Sequence, residues 1–508
     1  MPELWPFFGG FLSWRTAGLW LSLAVAVQWC RPLPVAEPGA PAAPAATRTL
    51  PAPVDSVPRL IAQLLDTARA GSRRAADASL GLQAPDEVRA FYGRACRPAW
   101  TRPADSLTPT AAAALAVLAR APEHGLRPAD YGWPRLQALR DSIARPTNMA
   151  LRPRQQARLE VYLSDAVLRF MRDLSRGRLR PYTISARERA AGAAGQPVPA
   201  LRAALAHGTV PAAMLAGQPR HRAYRQLQQA LAWWLAQPAP PADLAARHET
   251  RYQQAAVNLE RWRWDALPAA DTEYVLINIP SYELHLVSGD SVRRRHRVIV
   301  GKPRTPTPTL SSHLTHFTLA PDWHVPASIA TQEILPHLRR GDTGYLTRNN
   351  FALYDSNGQL VDPASVAWAQ VSARQFAYTV RQSAGCDNAL GNIVFRFANP
   401  YAVYLHDTSA RQLFERPGRA LSHGCVRLAE PLALAGYLLR REGRQVTLPS
   451  EAECARQPTP RTVRLHRPLP LHIRYATCTA ERGQLRFWPD VYHRDEVIRR
   501  GLFGPSAL

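Results

Sequence analysis

The spacing of apolar residues divides this 508-residue chain into two parts with different hydrophobic periods. From about residue 57 to 264, apolar side chains recur every three or four positions, which is the period of an amphipathic helix. This spacing predicts helices separated by turns that contain Pro and Gly. The clearest helical segments are Pro58–Ala70, Pro109–Arg120, Gln155–Leu174 and Tyr252–Trp264.

After Ala270 the period falls to two, which is typical of strands with one buried face. One exception is Glu430–Arg441, whose spacing predicts a helix. The predicted fold class is multidomain α + β, with an α-helical scaffold domain at 57–265, a mainly β domain at 268–480 and a C-terminal extension at 481–508. The strand candidates are Glu273–Ile279, Tyr282–Val287, Ser291–Val300, Thr315–Leu319, Ala402–Leu405, Arg461–Tyr475 and Leu485–Trp488.

The N-terminal segment predicts export. Arg15 precedes an apolar run, Thr16–Val27, whose length suits a signal peptide better than a full membrane span. A buried helix is disfavoured, because the Ala/Pro-rich stretch that follows could not pack over it. We therefore interpret residues 1–31 as a signal peptide or N-terminal membrane anchor, and 32–56 as a linker. The predicted location is the periplasm or cell envelope, with association at the inner membrane left open.

The net charge of +24 is extreme and comes almost wholly from arginine, since Lys302 is the single lysine. A basic excess attracts polyanions, such as nucleic acid, anionic lipid or a carboxylate-rich polymer. The sequence has no basic stripe with interleaved aromatic residues and no finger or homeodomain pattern, so a nucleic-acid partner is not predicted.

The cysteines form no CxxC pairs, which disfavours zinc-ribbon and thioredoxin-like proteins. In an oxidising compartment Cys454 and Cys478 could form a disulfide, but the sequence does not decide this. Cys96 and Cys386 are interpreted as small buried apolar residues. The remaining two cysteines are Cys30 and Cys425.

The candidate chemistry lies between His406 and Arg427. A thiol attacks a carbonyl carbon only as the thiolate, so a catalytic cysteine needs a nearby base or positive charge. Cys425 follows His406 by 19 residues, enough for a loop that brings the two side chains together. Gly424 permits close backbone approach, and the N–H groups of Gly424 and Cys425 are candidates for an oxyanion hole. These residues supply a nucleophile, a base and an oxyanion hole for acyl transfer.

Other interpretations of these residues lead to different chemistry. Taken singly, a histidine ahead of a strand end or a Gly-Cys step is more often structural than catalytic. Zinc bound by His406, His423 and Cys425 lacks a fourth ligand at metal-finger spacing, so no metal and no cofactor is predicted. A papain-type peptidase is disfavoured, because there the cysteine precedes the histidine and here the order is reversed.

The segment from His406 to Cys425 resembles the signature of the YkuD-type L,D-transpeptidase family. In that family a histidine is followed, after a spacer of this length, by Ser/Thr-His-Gly-Cys. Here 15 residues, 407–421, separate His406 from Ser422, and the tetrapeptide matches letter for letter.

The resemblance extends over most of the chain to the large YcbB-like subfamily, which has a helical scaffold domain. That subfamily carries a small peptidoglycan-binding domain, and the short stretch 183–250 contains no recognisable version of it. Matching segments in the β-rich half are Tyr274–Pro280, Val300–Pro306, Trp323–Pro336, Asn349–Phe351, Asn388–Asn392, Asn399–Thr408, Pro468–Tyr475 and Asp490–Asp495. Those in the helical part are Phe91–Trp100, His124–Tyr131, Asp173–Pro181 and Asn258–Trp264.

The resemblance implies roles for individual residues. Cys425 would be the acylated nucleophile, His406 the group that accepts and donates its proton, and the backbone around His423 and Gly424 the oxyanion hole. The residues implied in substrate binding are Ser422, Arg427, Tyr404 and Trp323. A structural ion pair is the alternative role for Arg427, beside pairing with a carboxylate of the stem peptide.

The activity implied by the resemblance is L,D-transpeptidation of peptidoglycan stem peptides. Cys425 would attack the carbonyl of the third residue of a donor tetrapeptide, release D-alanine and pass the acyl group to an amine of an acceptor stem, giving a 3→3 cross-link. Carbapenems would acylate the same cysteine. Two alternatives use the same residues: an L,D-carboxypeptidase, with water as the acceptor, and a non-catalytic scaffold that binds the cell wall. The preferred acceptor and the oligomeric state are not predicted.

Overall fold

The computed structural model describes residues 56–66, 80–102, 106–145, 151–179, 196–265, 267, 273–385, 387–445, 447–448, 450 and 459–504. The predicted signal peptide or anchor lies outside the described residues, as do Cys30, Cys386, Cys454 and all but residue 56 of the predicted linker. Cys478 is a buried free thiol, which does not support the Cys454–Cys478 disulfide that the sequence left open. Within the described ranges, no helix combines the length and the apolar character needed to cross a membrane.

The described residues before 265 form helices, as the three- to four-residue period predicts. Each of the four predicted helical segments overlaps an observed helix, with boundaries shifted by one to several residues. The helices are α1 Val57–Asp66, α2 Pro85–Tyr92, α3 Pro109–Ala119, α4 Trp133–Ala144, α5 Arg152–Arg176, α6 Pro197–His207, α7 Val210–Leu215, α8 Arg222–Leu235 and α9 Ala245–Arg263.

The long helix α5 organises the helical domain around one buried carboxylate. Glu160 is fully buried, and its oxygens accept hydrogen bonds from the N–H groups of Ala99, Trp100 and Thr101 at 2.7–2.8 Å. Tyr92 donates a further bond at 2.8 Å. A buried charge is stabilised only when its lone pairs are satisfied, and these donors come from a loop far away in sequence. Glu160 therefore fixes the 99–101 loop on α5.

The described residues after 272 form the β-rich part that the two-residue period predicts. Its first strands are β1 Glu273–Asn278, β2 Glu283–Ser288, β3 Ser291–Gly301, β4 Leu310–Leu319, β5 Trp323–His324, β6 Phe351–Tyr354, β7 Leu360–Val361 and β8 Thr379–Gln382. The later strands are β9 Ile393–Arg396, β10 Leu405–His406, β11 Ala420–Ser422, β12 Val426–Leu428, β13 Arg461–Arg474, β14 Cys478–Glu481 and β15 Gln484–Phe487. The helices are α10 Ala327–Ile329, α11 Leu335–Arg339, α12 Gly344–Arg348, α13 Pro431–Arg441 and α14 Asp495–Phe503, with a π-turn over Ala330–Ile334 between α10 and α11.

Among these residues a nine-stranded sheet runs in the order β11-β3-β12-β10-β9-β4-β13-β1-β2. Because β2 also pairs with β3, the sheet curls back on itself and encloses an apolar core. Alternate residues such as Val298 and Val300 of β3 face that core. The short strand β10 lies in the middle of the sheet, between β9 and β12.

One predicted strand, Ala402–Leu405, was wrong in most of its length. Ala402 has a left-handed backbone (φ +53°), which no strand accommodates. The Asn399 side chain holds this turn, since its oxygen accepts from the Val403 N–H at 3.1 Å and its amide donates to the Val403 carbonyl at 2.8 Å. The strand therefore begins only at Leu405 and ends at His406.

A second, four-stranded sheet in the order β5-β8-β6-β7 forms an insertion over residues 322–384, between β4 and β9. The insertion has its own apolar core, which includes Leu338, Leu353, Trp368 and Val380. It stands beside the main sheet as a compact unit and contributes side chains to the candidate site.

The helical and β-rich parts are joined through buried polar contacts. Asn258 of α9 donates to Thr477 Oγ1 at 2.8 Å and accepts from the Thr477 N–H at 2.9 Å. Arg474 of β13 pairs with Asp265, just after α9, through a 2.8 Å hydrogen bond. Arg261 of α9 contacts Asp495 of the C-terminal helix α14 at 2.5 Å. Arg474 and the residues that follow it thus anchor the sheet to α9.

Candidate active site

The register of two adjacent parallel strands places four of the candidate residues on one face of the sheet. Leu405 of β10 pairs with Val426 of β12, and His406 pairs with Arg427. Side chains alternate along a strand, so Tyr404 lies on the same face as His406, and Cys425 on the same face as Arg427. The Val426 N–H donates to the Tyr404 carbonyl at 3.0 Å, which holds Tyr404 next to Cys425.

The loop before Cys425 is held by the Ser422 hydroxyl. Ser422 is buried; its Oγ donates to the Cys425 carbonyl at 2.5 Å and accepts from the Gly424 N–H at 3.1 Å. Gly424 has a φ of +121°, which strongly favours glycine. We assigned Ser422 to substrate binding from the sequence, and the structure instead uses its hydroxyl inside the nucleophile loop, residues 422–425.

The segment after β3 supports the nucleophile loop from behind. Buried Thr307 donates from Oγ1 to the Gly424 carbonyl at 2.8 Å, and the Gly301 N–H donates to the same Oγ1 at 2.9 Å. Tyr492 donates from its hydroxyl to the Gly301 carbonyl at 2.7 Å and accepts from the Thr307 N–H at 3.1 Å. A Cβ at Gly301 would collide with the Thr305 carbonyl oxygen, so glycine is required there.

The Cys425 thiol is half-buried and is present as a free thiol. Its Sγ lies 4.0 Å from the Ala402 carbonyl oxygen. Burial raises the pKa of Cys425 above its ordinary value, while hydrogen bonds from Tyr404 and the charges of Arg396 and Arg427 act in the opposite direction. In the resting protein the thiol therefore keeps its proton at neutral pH and needs a base for attack.

His406 is buried on the same face of the sheet as this thiol, and its Nδ1 has no hydrogen-bond partner in the described part of the chain. Burial and the positive charge of Arg427 lower the pKa of His406 to about 3. The imidazole is therefore neutral at physiological pH and can accept a proton. The Tyr404 ring packs edge-on against it, with ring centroids 5.6 Å apart.

Two arginines near the thiol have no carboxylate partner among the described residues. Arg427 is half-buried with its Nε–H unpaired, and burial lowers the pKa of its guanidinium. Arg396 of β9 lies over the Tyr404 ring, 5.5 Å from the ring centroid. Arg427 thus does not form the structural ion pair considered as its alternative role, and both cations are available to an anionic ligand.

The insertion contributes two side chains to the site. Trp323 of β5 lies next to the Tyr404 hydroxyl, and burial together with the nearby Cys425 raises the pKa of Tyr404. Glu333, in the π-turn, lies 2.6 Å from the Nε2 atom of His423. The His423 side chain is thus turned toward the insertion, away from the role of a second base.

An oxyanion hole needs N–H groups that are free to donate. The Gly424 N–H already donates to Ser422, so its assignment to the oxyanion hole is corrected. The N–H groups of His423 and Cys425 have no acceptor within the described ranges. These two groups, rather than that of Gly424, are the donors available at the nucleophile.

The described residues include no group of three or more His, Cys, Asp or Glu side chains placed to hold a metal ion. His406 and His423 make separate contacts: His406 packs against Tyr404 within the sheet, and His423 faces Glu333. The three residues considered as zinc ligands therefore do not share one coordination site.

Several residues of the site were not identified from the sequence as site residues. These residues lie far from Cys425 in the chain, and no local motif marks them. They are Arg396, Thr307, Tyr492 and Glu333. Thr307 directly follows the Val300–Pro306 segment, Tyr492 lies inside the Asp490–Asp495 segment and Glu333 inside the Trp323–Pro336 segment, all three quoted for the resemblance. That proximity was the available signal, but it did not indicate what the residues do.

Comparison with known proteins finds two domain matches and one curated relative. Residues 272–448 match the model of the L,D-transpeptidase catalytic domain, YkuD, and residues 86–231 match a scaffold domain. A Haemophilus influenzae protein named "Putative L,D-transpeptidase" is 36% identical over 246 residues. That match covers 48% of this chain and 49% of the relative, so the chain spans about half the length of this curated protein.

Proposed function

We propose that this protein cross-links peptidoglycan stem peptides through a thioester on Cys425, because residues 272–448 match an L,D-transpeptidase catalytic domain and residues 86–231 match a scaffold domain. The observation that carries the proposal is the shared face of β10 and β12, where a half-buried thiol, a neutral imidazole and an unpaired arginine lie together.

In the first step His406 Nδ1 accepts the proton of Cys425 Sγ as the sulfur attacks the carbonyl carbon of the third residue in a donor tetrapeptide. The N–H groups of His423 and Cys425 donate to the oxyanion that forms. The C–N bond to D-alanine then breaks, and the imidazolium returns its proton to the leaving amine. The products are a thioester on Cys425, free D-alanine and neutral His406.

In the second step a side-chain amine of an acceptor stem attacks the thioester carbonyl. His406 accepts a proton from the attacking nitrogen and delivers it to Cys425 as the C–S bond breaks. The amide formed joins the third residues of two stems. Water in place of the amine gives a tripeptide, which is the carboxypeptidase outcome.

The unpaired arginines supply recognition of the donor. A stem peptide carries carboxylates, and Arg binds a carboxylate in bidentate geometry. Arg427 lies on the same face as Cys425, two residues further along the chain, which supports a role in binding a carboxylate close to the scissile amide. Tyr404, next to the thiol, and Trp323, next to Tyr404, provide an aromatic wall for the donor peptide.

The substrate class also sets the compartment. Peptidoglycan lies outside the inner membrane, so the proposed function requires the export that the N-terminal sequence predicts. Carbapenems present a strained amide carbonyl to the same thiol, and we expect them to acylate Cys425.

Product analysis tests the reaction. The full chain is incubated with a disaccharide-tetrapeptide, beside Cys425→Ala as the matched control, and products are separated and weighed by mass spectrometry. A 3→3 dimer with release of D-alanine, present only with intact Cys425, supports the proposal. Tripeptide alone identifies a carboxypeptidase. Absence of both products with the intact protein would favour the non-catalytic scaffold.

A further inference from the structure

A cleft of about 810 Å³ separates helix α8 from the β1–β3 edge of the main sheet and from the β14–β15 hairpin. Arg222 and Trp233 line it from α8, Arg295 from β3, and Arg482 and Trp488 from the C-terminal hairpin and the residue after it. None of the proposed catalytic residues lines this cleft. Its walls come from both the scaffold and the β-rich part, and the proposed reaction leaves it without a role.

Four arginines and two glutamates line the cleft, so positive charge is in excess, and Glu283 contacts His285 at 2.9 Å. Arg295 is neutralised by Glu481 at 2.9 Å, and Arg474, deeper in the cleft, by Asp265. Arg222 donates from Nε to the Asp290 carbonyl at 2.8 Å, but no carboxylate pairs with it in the described part of the chain. Burial lowers the pKa of Arg222, which shows that its charge is partly desolvated.

A partly buried cation without a carboxylate partner is costly, and a ligand that supplies the counter-charge lowers that cost. Arg482, at the tip of the hairpin, is a second cation on this cleft without a carboxylate partner among the described residues. The cleft therefore favours an anionic ligand, and the planar guanidinium groups suit a carboxylate.

The same cleft exposes aromatic and amide groups. Trp233 is 55% exposed, the most exposed tryptophan side chain among the large apolar residues of the described chain. Tryptophan offers a flat apolar face, which packs against the C–H face of a sugar ring. Gln226, Gln229 and Gln484 line the cleft with amide groups, which both donate to and accept from hydroxyl and acetamido groups.

From this combination we propose that the cleft binds the glycan strand of peptidoglycan, with Trp233 stacking on a sugar and Arg222 pairing with a carboxylate of an attached stem peptide. The inference rests on the proposed function for the identity of the polymer. The occupant is an N-acetylated polysaccharide that bears carboxylates, which matches both the aromatic face and the unpaired cations of the cleft.

The position of the cleft suits a second contact on the same polymer. Arg295 and Gly301 lie on β3, six residues apart, or about 20 Å at the rise of a strand. Gly301 pairs with Ser422 at the nucleophile loop. A glycan strand held at the cleft therefore keeps its stem peptides within reach of Cys425, and raises their local concentration without any new contact at the thiol.

Binding of the full-length chain to purified sacculi tests the inference. The variants are Trp233→Ala and Arg222→Gln, and the matched control is Arg158→Gln, an exposed arginine of α5 that does not line the cleft. We expect the double cleft variant to bind sacculi roughly 10-fold more weakly, the loss that about 1.4 kcal/mol represents. Because Trp233 is largely exposed, Trp233→Ala keeps the test valid if Arg222→Gln disturbs folding.

Turnover of a soluble disaccharide-tetrapeptide is measured in parallel, since it does not require an extended glycan. Weaker sacculus binding with unchanged soluble turnover supports the cleft. Sacculus binding equal to that of the control, or equal loss of soluble turnover, overturns it. If the unmodified chain forms no 3→3 product but the cleft variants still lose sacculus binding, the proposed reaction fails and the cleft stands.

Discussion

Glu333 Oε1 lies 2.6 Å from His423 Nε2, and this contact joins the insertion at 322–384 to the nucleophile loop. The two residues are separated by 90 positions in the sequence. Glu333 belongs to the insertion that contains the four-stranded sheet, and His423 follows strand β11 of the nine-stranded sheet. Because His423 is two residues from Cys425, the position of the insertion is coupled to the shape of the loop. Trp323, from the same insertion, provides a second point of contact next to Tyr404.

Removing the Glu333 carboxylate should weaken this coupling without unfolding the domain. Both side chains are partly exposed, and exposed pairs contribute about 0.2–1 kcal/mol, so we expect Glu333→Gln to lower kcat/KM by roughly two- to five-fold. Arg348→Gln breaks the Asp342–Arg348 pair of the same insertion, which does not touch the nucleophile loop, and is the control. Equal effects of the two substitutions would show that the Glu333–His423 contact has no special role.

Ser422→Ala distinguishes a positioning role from substrate binding. The hydroxyl bonds the Gly424 N–H and the Cys425 carbonyl, so its loss frees the loop that presents the thiol. We expect kcat to fall by about 10-fold or more with KM little changed, and Ser422→Thr to restore most of the rate. A rise in KM at constant kcat would instead support the substrate-binding role predicted from the sequence.

Tyr492→Phe should slow the reaction from a distance. Its hydroxyl bridges the Gly301 carbonyl and the Thr307 N–H, and Thr307 in turn bonds the Gly424 carbonyl. Loss of such a buried bridge costs about 1–3 kcal/mol, so kcat should fall while substrate affinity is retained. Tyr162→Phe, on scaffold helix α5, removes a hydroxyl outside this network and should leave kcat unchanged. Identical kinetics for Tyr492→Phe and the unmodified protein would contradict the bridging role.

The pH dependence of thiol alkylation follows from the two shifted groups. Burial raises the pKa of Cys425, and the pKa of His406 is lowered to about 3, so the resting pair is a neutral thiol and a neutral imidazole from pH 4 to neutrality. The thiolate fraction, and with it the rate of iodoacetamide alkylation, should rise as the pH is raised past the ordinary pKa of a thiol.

Arg427→Gln sharpens this test. Removing its charge takes away an interaction that stabilises the thiolate, so the alkylation profile should move to still higher pH. The reacted peptide must be the one that contains Cys425, with Cys425→Ala as the control for other thiols. A fast, pH-independent reaction between pH 5 and 8 would reveal a thiolate–imidazolium pair and contradict the neutral pair.

The sequence was sufficient for the fold class, and it singled out His406 and Cys425, which the structure brings to one face of the sheet. The hydrophobic period changes near residue 270 because it follows which side chains are buried. The spacing from His406 to Cys425 matches a motif that is read along the chain. The role of Ser422 was not predictable, because it depends on a loop closing on itself. Ala402 was placed in a strand because its neighbours alternate, while the Asn399 side chain imposes a turn there. Glu333 and Tyr492 act across long separations, and only the packed fold brings them to the nucleophile loop.

Trapping the acyl-enzyme tests the central claim most directly. The full chain is mixed with a disaccharide-tetrapeptide, quenched in acid and mapped by mass spectrometry, with Cys425→Ser and His406→Gln treated in the same way. We expect the mass of the donor acyl group, less D-alanine, on the peptide that contains Cys425, no thioester in Cys425→Ser and much slower acylation in His406→Gln. Formation of a 3→3 dimer by Cys425→Ser, or an adduct on any other residue, would contradict a Cys425 thioester.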